Sequence, residues 1–266
     1  MTVAPFDGEI GSSYLQRLAN ANYFPLSTLR TLVGITPQAR QIDPVRLASV
    51  SGYDQQTLQT RLRLLDGQSY YANVVASCRL CMARRKVLEP VYCMPRLYRV
   101  VCLRHHLWIG LPVREPRDQV SVSSQPAVIG AARTHRKLQR RYLEAEIEFL
   151  RRDAVRIMQC WQRIDTGSIA TTTTEFSTSC IEAAFVDYVE QIHLTATLIR
   201  HLPGRNQEGS PATALQRLIG DMARRYHISP DSPHMDILLG WHEQQVAMCR
   251  ASTASTSGTR MNNMPR

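Results

Sequence analysis

Long apolar runs are missing from this chain. No stretch approaches the roughly 20 apolar residues that cross a bilayer, and the opening MTVAPFDGEIGSS has neither a basic start nor the apolar centre of an export leader. The expectation is a cytoplasmic protein with no membrane partner. The familiar catalytic signatures are missing as well: there is no Gly-x-x-x-x-Gly-Lys, no Gly-x-Ser-x-Gly, no dinucleotide fingerprint and no His-Glu-x-x-His. A transposase-type acidic triad cannot be picked out of the scattered Asp and Glu. An enzyme is therefore not expected. Lysine is scarce, only two of the 32 basic residues, and no internal repeat is visible.

What is present is an ordinary globular composition. The 266 residues are 44% hydrophobic and 20% charged, enough for a real core and for one or two domains. The net charge of +10 is spread unevenly. Residues 1 to 110 carry 13 Lys or Arg against 6 Asp or Glu, and residues 111 to 164 carry 11 against 6. Residues 165 to 250 reverse the sign, with 6 against 10. A basic first part beside an acidic second part suggests that one portion faces a polyanion, with double-stranded DNA the expected partner. The arginine bias of a GC-rich genome would produce a similar excess.

Along the chain, SSYLQRLANA puts Tyr14, Leu15, Leu18 and Ala19 on one helical stripe, with Ser12 or Ser13 as cap and an end near Asn22. Ser27 caps a second short helix, STLRTLV, with Leu29, Leu32 and Val33 inward, Thr28, Arg30 and Thr31 outward, and Gly34 at its end. The two form a helix-turn-helix-like pair. Asp43-Pro44 opens a third helix that stops at Gly52, and Asp54 opens a fourth with Leu58, Leu62 and Leu65 on one face. From Tyr70 the pattern turns to short Val- and Tyr-rich runs broken by Pro90 and Pro95, namely YYANVV, VLEPVY, RLYRVV and HLWI, which read as strands. After the polar REPRDQVSVSSQ, helical patterning resumes over 128 to 164, then over 178 to 202, 211 to 226 and 233 to 249. The expected fold is mainly α with a small β zinc-ribbon module. Residues 1–69 form the helix-turn-helix-like unit, 70–110 the ribbon, 111–125 a linker, 126–250 a C-terminal helical domain and 251–266 a disordered tail.

Four of the seven cysteines fall between residues 78 and 102. Cys78 and Cys81 are two residues apart, as are Cys102 and His105, and twenty residues lie between the pairs. Thiols stay reduced in the cytoplasm, so this spacing points to a structural zinc site of the Cys3His kind, in which each short gap turns two donors toward one ion. His106 could stand in for His105, and Cys93 for a member of a pair. Four protein ligands leave no open position for a hydrolytic water, and Glu89 is the only acid nearby. Arg84, Arg85, Lys86, Arg96, Arg99 and Arg104, with Tyr92 and Tyr98 interleaved, are candidates to hold phosphates or bases, as is Arg30 on the second helix. The same residues also fit a solvated face. Cys160, Cys180 and Cys249 read as core residues. His193, His201, His227, His234 and His242 read as ordinary surface or interface residues.

Taken together, Gly8-Glu9, SSYLQRLANAN at 12 to 22, Leu29 through Gly34, the helices at 44 to 64 and the Cys-x2-Cys with Cys-x-Arg-His resemble the TniQ family, which includes TnsD-like target-site selectors of transposons. The resemblance covers about 40% of the chain. Ile10 stands where the family often has Ser, and His106 where it often has Gly. TnsD-like members carry a longer C-terminal DNA-reading part, and residues 126 to 250 have no firm counterpart. The resemblance implies a non-catalytic adaptor with an N-terminal helix-turn-helix beside a zinc ribbon. It implies Cys78, Cys81, Cys102 and His105 as zinc ligands, and a transposition ATPase or transposase as partner. A DNA-binding host transcriptional regulator and an interaction scaffold working through the acidic C-terminal helices are the alternatives, and a second copy of the chain is a further candidate partner, as a homodimer.

Overall fold

The computed structural model describes residues 1–36, 41–64, 74–94, 100–166, 178–202 and 210–258. It is mainly helical, with a small sheet region, and falls into two compact units. The first comprises Met1–Arg133 and Thr178–Ala184; the second comprises Thr134–Ser177 and Phe185–Arg266. Among the described residues, no helix is long and apolar enough to cross a membrane.

In the first unit, β1 (Glu9–Ile10) runs directly into α1 (Gly11–Ala21), and a short turn leads to α2 (Leu26–Leu32). Neither helix has a side-chain cap: Ile10 and Pro25 hold the cap positions, so Ser12, Ser13 and Ser27 all fall inside the helices. The strand that feeds α1 sets its entry angle. Gly11 sits at that junction because a Cβ there would lie 3.3 Å from the Arg63 carbonyl and collide with Ile42. α3 (Pro44–Ser51) and α4 (Gln55–Arg61) start as their sequences predict. Asp43 accepts from the Val45 and Arg46 amides, Asp54 accepts from Thr57, and Gly52 closes α3 at φ 74. Tyr14, Leu15, Leu18, Leu29, Val33, Leu47 and Leu58 share one core with Leu62. Leu32, expected inward, is 47% exposed.

Chain direction then changes abruptly. α4 ends at Arg61 and the next two residues are β2 (Leu62–Arg63), parallel to β1. β1 also pairs antiparallel with β4 (Tyr92–Cys93), which pairs with β3 (Val75–Ala76). One four-stranded sheet of order β2-β1-β4-β3 thus joins the N-terminal helices to the cysteine-bearing segment. Between β3 and β4 lies α5 (Arg79–Arg84). A second sheet follows, β5 (Val101–Cys102), β6 (Leu107–Trp108) and β7 (Val120–Ser121), all antiparallel. β7 and the 3-10 turn at Pro116–Asp118 occupy the segment expected as a linker. The expected strand stretch at 70–73 lies outside the described residues.

The second unit is built from long helices. α6 (Pro126–Arg141) begins in the first unit and α8 (Thr178–Arg200) likewise. α7 (Glu144–Thr166), α9 (Pro211–Tyr226) and α10 (Pro233–Gly258) complete the set. The helical patterning expected over 128 to 164 resolves into two helices, broken at Tyr142 and Leu143 without a Gly or Pro to signal it. α10 continues to Gly258, past the expected boundary at 250. Leu150, Ile157, Trp161, Leu194, Leu198 and Leu218 lie at the centre of this unit's core.

Candidate metal centre

Cys78 caps α5 and Cys81 lies in its first turn, so the first donor pair rides on a helix start rather than on a β-turn. The second pair is a hairpin: Cys102 ends β5, the chain turns through residues 103–106, and β6 begins at Leu107. The His105 amide donates to the Cys102 carbonyl at 3.1 Å, which closes the turn and brings the imidazole back over the thiol. His106, next in the turn, has φ 48, a left-handed conformation that glycine adopts most easily.

The four donor atoms lie within 4.8 Å of one another. His105 Nδ1 is 3.3 Å from Cys78 Sγ, 3.3 Å from Cys81 Sγ and 3.6 Å from Cys102 Sγ, and the Cys81 and Cys102 sulfurs are 3.7 Å apart. A tetrahedral ion with metal–sulfur bonds of about 2.3 Å and metal–nitrogen bonds of about 2.0–2.1 Å needs sulfur–sulfur edges of about 3.8 Å and sulfur–nitrogen edges of about 3.6 Å. A disulfide needs about 2.05 Å between sulfurs. The spacing therefore fits an ion and excludes a disulfide between Cys81 and Cys102. These four residues can hold a metal ion, and His105 supplies the nitrogen, not His106. Cys93 pairs instead across the first sheet with Val75 and Glu9.

The three thiols are electrostatically linked. Cys102 is pulled down to about 4, chiefly by its hydrogen bond with Cys78 and by the His105 and Arg104 amides. Cys78 is pushed up by the same shared proton and by burial, and burial raises Cys81. Three thiols this close cannot all ionise unless a cation joins them, and a bound cation deprotonates coordinating thiols outright. Arg104, exposed in the hairpin turn, offsets negative charge at Cys81.

Sequence reasoning missed two supports. Gln119 is 4% exposed. Its Oε1 accepts from the Arg79 amide at 2.8 Å while its Nε2 donates to the carbonyls of Ser77 at 2.8 Å and Ala76 at 3.3 Å. One side chain from beside β7 thus fixes the arm that presents Cys78. The second support is the buried pair Glu9 and Arg17, 0% and 5% exposed. The guanidinium donates through Nε and Nη2 to both carboxylate oxygens, each at 2.8 Å, and Ser13 Oγ and the Phe6 amide donate to the same carboxylate. Burial pushes the Glu9 carboxyl above its usual range, against the pull of Arg17. The adjacent Gly-Glu and helical Arg were the only signal, since a charge count treats both as surface.

The candidate nucleic-acid residues fall on separate elements. Arg84, Arg85 and Lys86 are exposed at the end of α5. Arg85 stacks on the Phe6 ring at 4.3 Å and donates to the Pro5 carbonyl. Arg30 is exposed on α2 and lines a cleft of about 220 Å³ with Ser12, Gln16 and Tyr92. Arg96, Arg99 and Tyr98 lie outside the described residues. Among the other candidates, Cys160 and Cys180 are half-buried and Cys249 is exposed rather than in the core. His201 is buried against Asp221 at 2.8 Å, and His242 is buried too. Compared with known proteins, the chain matches no family model, and no similar curated protein or solved structure was found.

Proposed function

We propose that the chain is a non-enzymatic, zinc-containing DNA-binding adaptor of the TniQ type, serving target selection or the recruitment of transposition proteins. The observation that carries this reading is the Cys78, Cys81, Cys102, His105 donor set, whose spacing suits one tetrahedral ion. Zinc held there supplies a cross-link between α5 and the β5–β6 hairpin and leaves no position for water. The sheet that joins this segment to the α1 and α2 pair supports reading the two as one DNA- or partner-binding body. The resemblance also gains a physical sense: Glu9 and Arg17, both within its motifs, are the buried pair, and His106 stands in a left-handed position where Gly is the usual family residue.

The working cations in this reading are Arg30, Arg84 and Lys86, all exposed on the first unit. Gel-shift assays with duplex DNA at low salt test it. Wild-type protein is expected to bind, and a triple Arg30→Ala, Arg84→Ala, Lys86→Ala variant to bind more weakly on all sequences alike, because phosphate contacts carry no sequence information. Absence of any duplex binding, together with failure to capture a transposition ATPase or transposase, contradicts the proposal.

A further inference from the structure

α6, PAVIGAARTHRKLQRR, carries five Lys or Arg and not a single Asp or Glu. Four of the cations, Arg136, Lys137, Arg140 and Arg141, belong to the second unit and are exposed. They form two pairs one helical turn apart, about 6 Å along the axis at 1.5 Å per residue. The opposite side of the helix is fixed: His135 is 1% exposed, and Leu138 packs into the core with Ile147, Leu150 and Leu198. Rotation is thereby set, and the cations face solvent.

Local compensation for these charges is thin. Like charges at i and i+4 destabilise a helix by a few tenths of a kcal/mol per pair, and the helix dipole favours only Arg140 and Arg141, in the last turn. None of the four has an ion pair among the described residues. The acids next in the chain are Glu144, Glu146 and Glu148 at the start of α7; Glu148 is taken by Arg151 at 3.1 Å and Arg152 at 3.2 Å, so four cations face at most two further carboxylates there. A stripe kept in this state suits a polyanion. Membrane-surface helices need an apolar face free to enter the lipid, and here Leu138 is spent on the core. Duplex phosphates recur every 1.7 Å of axis, about 3.4 Å on each strand, dense enough to meet both cation pairs, and three of the four side chains are Arg, whose planar fork matches phosphate oxygens.

We propose that Arg136, Lys137, Arg140 and Arg141 form a second contact to the phosphate backbone of duplex DNA, on the second unit and not on the first, which carries Arg30, Arg84 and Lys86. This rests on the DNA reading above. The test is fluorescence anisotropy of a labelled duplex against full-length protein across a KCl series. Replacing all four by Ala is expected to make the slope of log affinity against log salt shallower by about 3 to 4, from about 0.9 per lost phosphate contact, with about a tenfold or greater loss of affinity at fixed salt. A charge-keeping variant with Arg136, Arg140 and Arg141 changed to Lys is expected to retain the slope. Circular dichroism must give both variants wild-type helix content and melting; a quadruple Gln variant replaces the Ala variant if it does not. Unchanged slope and affinity, while the wild type and the Arg30, Arg84, Lys86 variant differ, overturns the second contact and leaves the DNA reading standing. A wild type that binds no duplex overturns the DNA reading and this contact with it. Loss of binding to phosphatidylserine vesicles with no change on duplex overturns the choice of partner.

Discussion

Two-residue strands and helices of 6 to 11 residues make up the described first unit before α6, whereas α7, α9 and α10 in the second run to 23, 16 and 26 residues. The difference decides what each can use for cohesion. Long helices bury whole faces of Leu, Ile, Met and Trp, so the second unit carries a core of 14 buried apolar residues among the described residues. Around the cysteines, by contrast, the buried apolar groups are small: Cys78, Leu107 and Ile109 in one cluster and Phe6, Met82 and Val91 in another. Clusters of that size do not offset the backbone entropy of so many irregular residues. Specific polar devices take over, namely the four-donor centre, Gln119 and the Glu9–Arg17 pair. The cysteine-bearing segment of the first unit is organised by a few directional interactions, whereas the second unit, like the N-terminal helices, relies on many non-directional ones.

This contrast breaks most visibly at Arg17. Arg17→Ala strands the Glu9 carboxylate, 0% exposed, without its bidentate partner, and is expected to cost about 3–5 kcal/mol; denaturant titration, with hydrogen exchange locating the loss in residues 1–94, checks it. In the second unit the matching blow is apolar. Leu194→Ala, at a fully buried position, is expected to cost about 2–5 kcal/mol through lost contacts and a cavity, and to leave metal content unchanged.

Acid separates the units further. Burial holds the His135 imidazole down at about 4 against an ordinary 6.5, so it stays neutral in the fold while the unfolded chain takes up a proton. Its stability contribution is full above pH 6.5, falls as pH drops from 6.5 toward 4, and amounts to roughly 3 kcal/mol at most. His135→Leu is expected to flatten that part of the pH–stability profile, measured by thermal melting between those limits. The smallest effect sharpens the comparison most. Gln119→Ala leaves the Arg79 amide and two carbonyls without their partner; a cost of about 1–3 kcal/mol is expected, together with metal affinity weakened about 10- to 100-fold, since groups that orient a ligand tune its binding. Competition with a chromogenic chelator reads the second quantity.

How much of this was legible in the amino-acid order follows the same divide. Donor spacing is a local property, so Cys78, Cys81, Cys102 and His105 could be chosen from two short gaps, and the structure gathers the same four. Asp43-Pro44 and Gly52 are equally local, and they bound α3 as expected. β1 and β2 left no trace because two residues cannot display an alternating pattern. β7 was invisible for another reason: Val120 and Ser121 are both exposed, so the strand reads as polar linker. The break between α6 and α7 is set by packing, with Leu138 and Ile147 both entering the core from either side of it. Gln119, Glu9 and Arg17 are polar residues made structural by burial, which composition cannot reveal.

The central claim is that one ion closes the Cys3His centre and thereby holds the cysteine-bearing segment of the first unit together. Metal content per chain of natively purified protein, followed by amide hydrogen exchange during chelation, tests it most directly. The account predicts one zinc per chain, and on its removal a loss of protection across residues 74–122 while α7, α9 and α10 stay protected. A protein without stoichiometric metal, whose exchange at residues 74–122 is the same with and without a strong chelator, would contradict it.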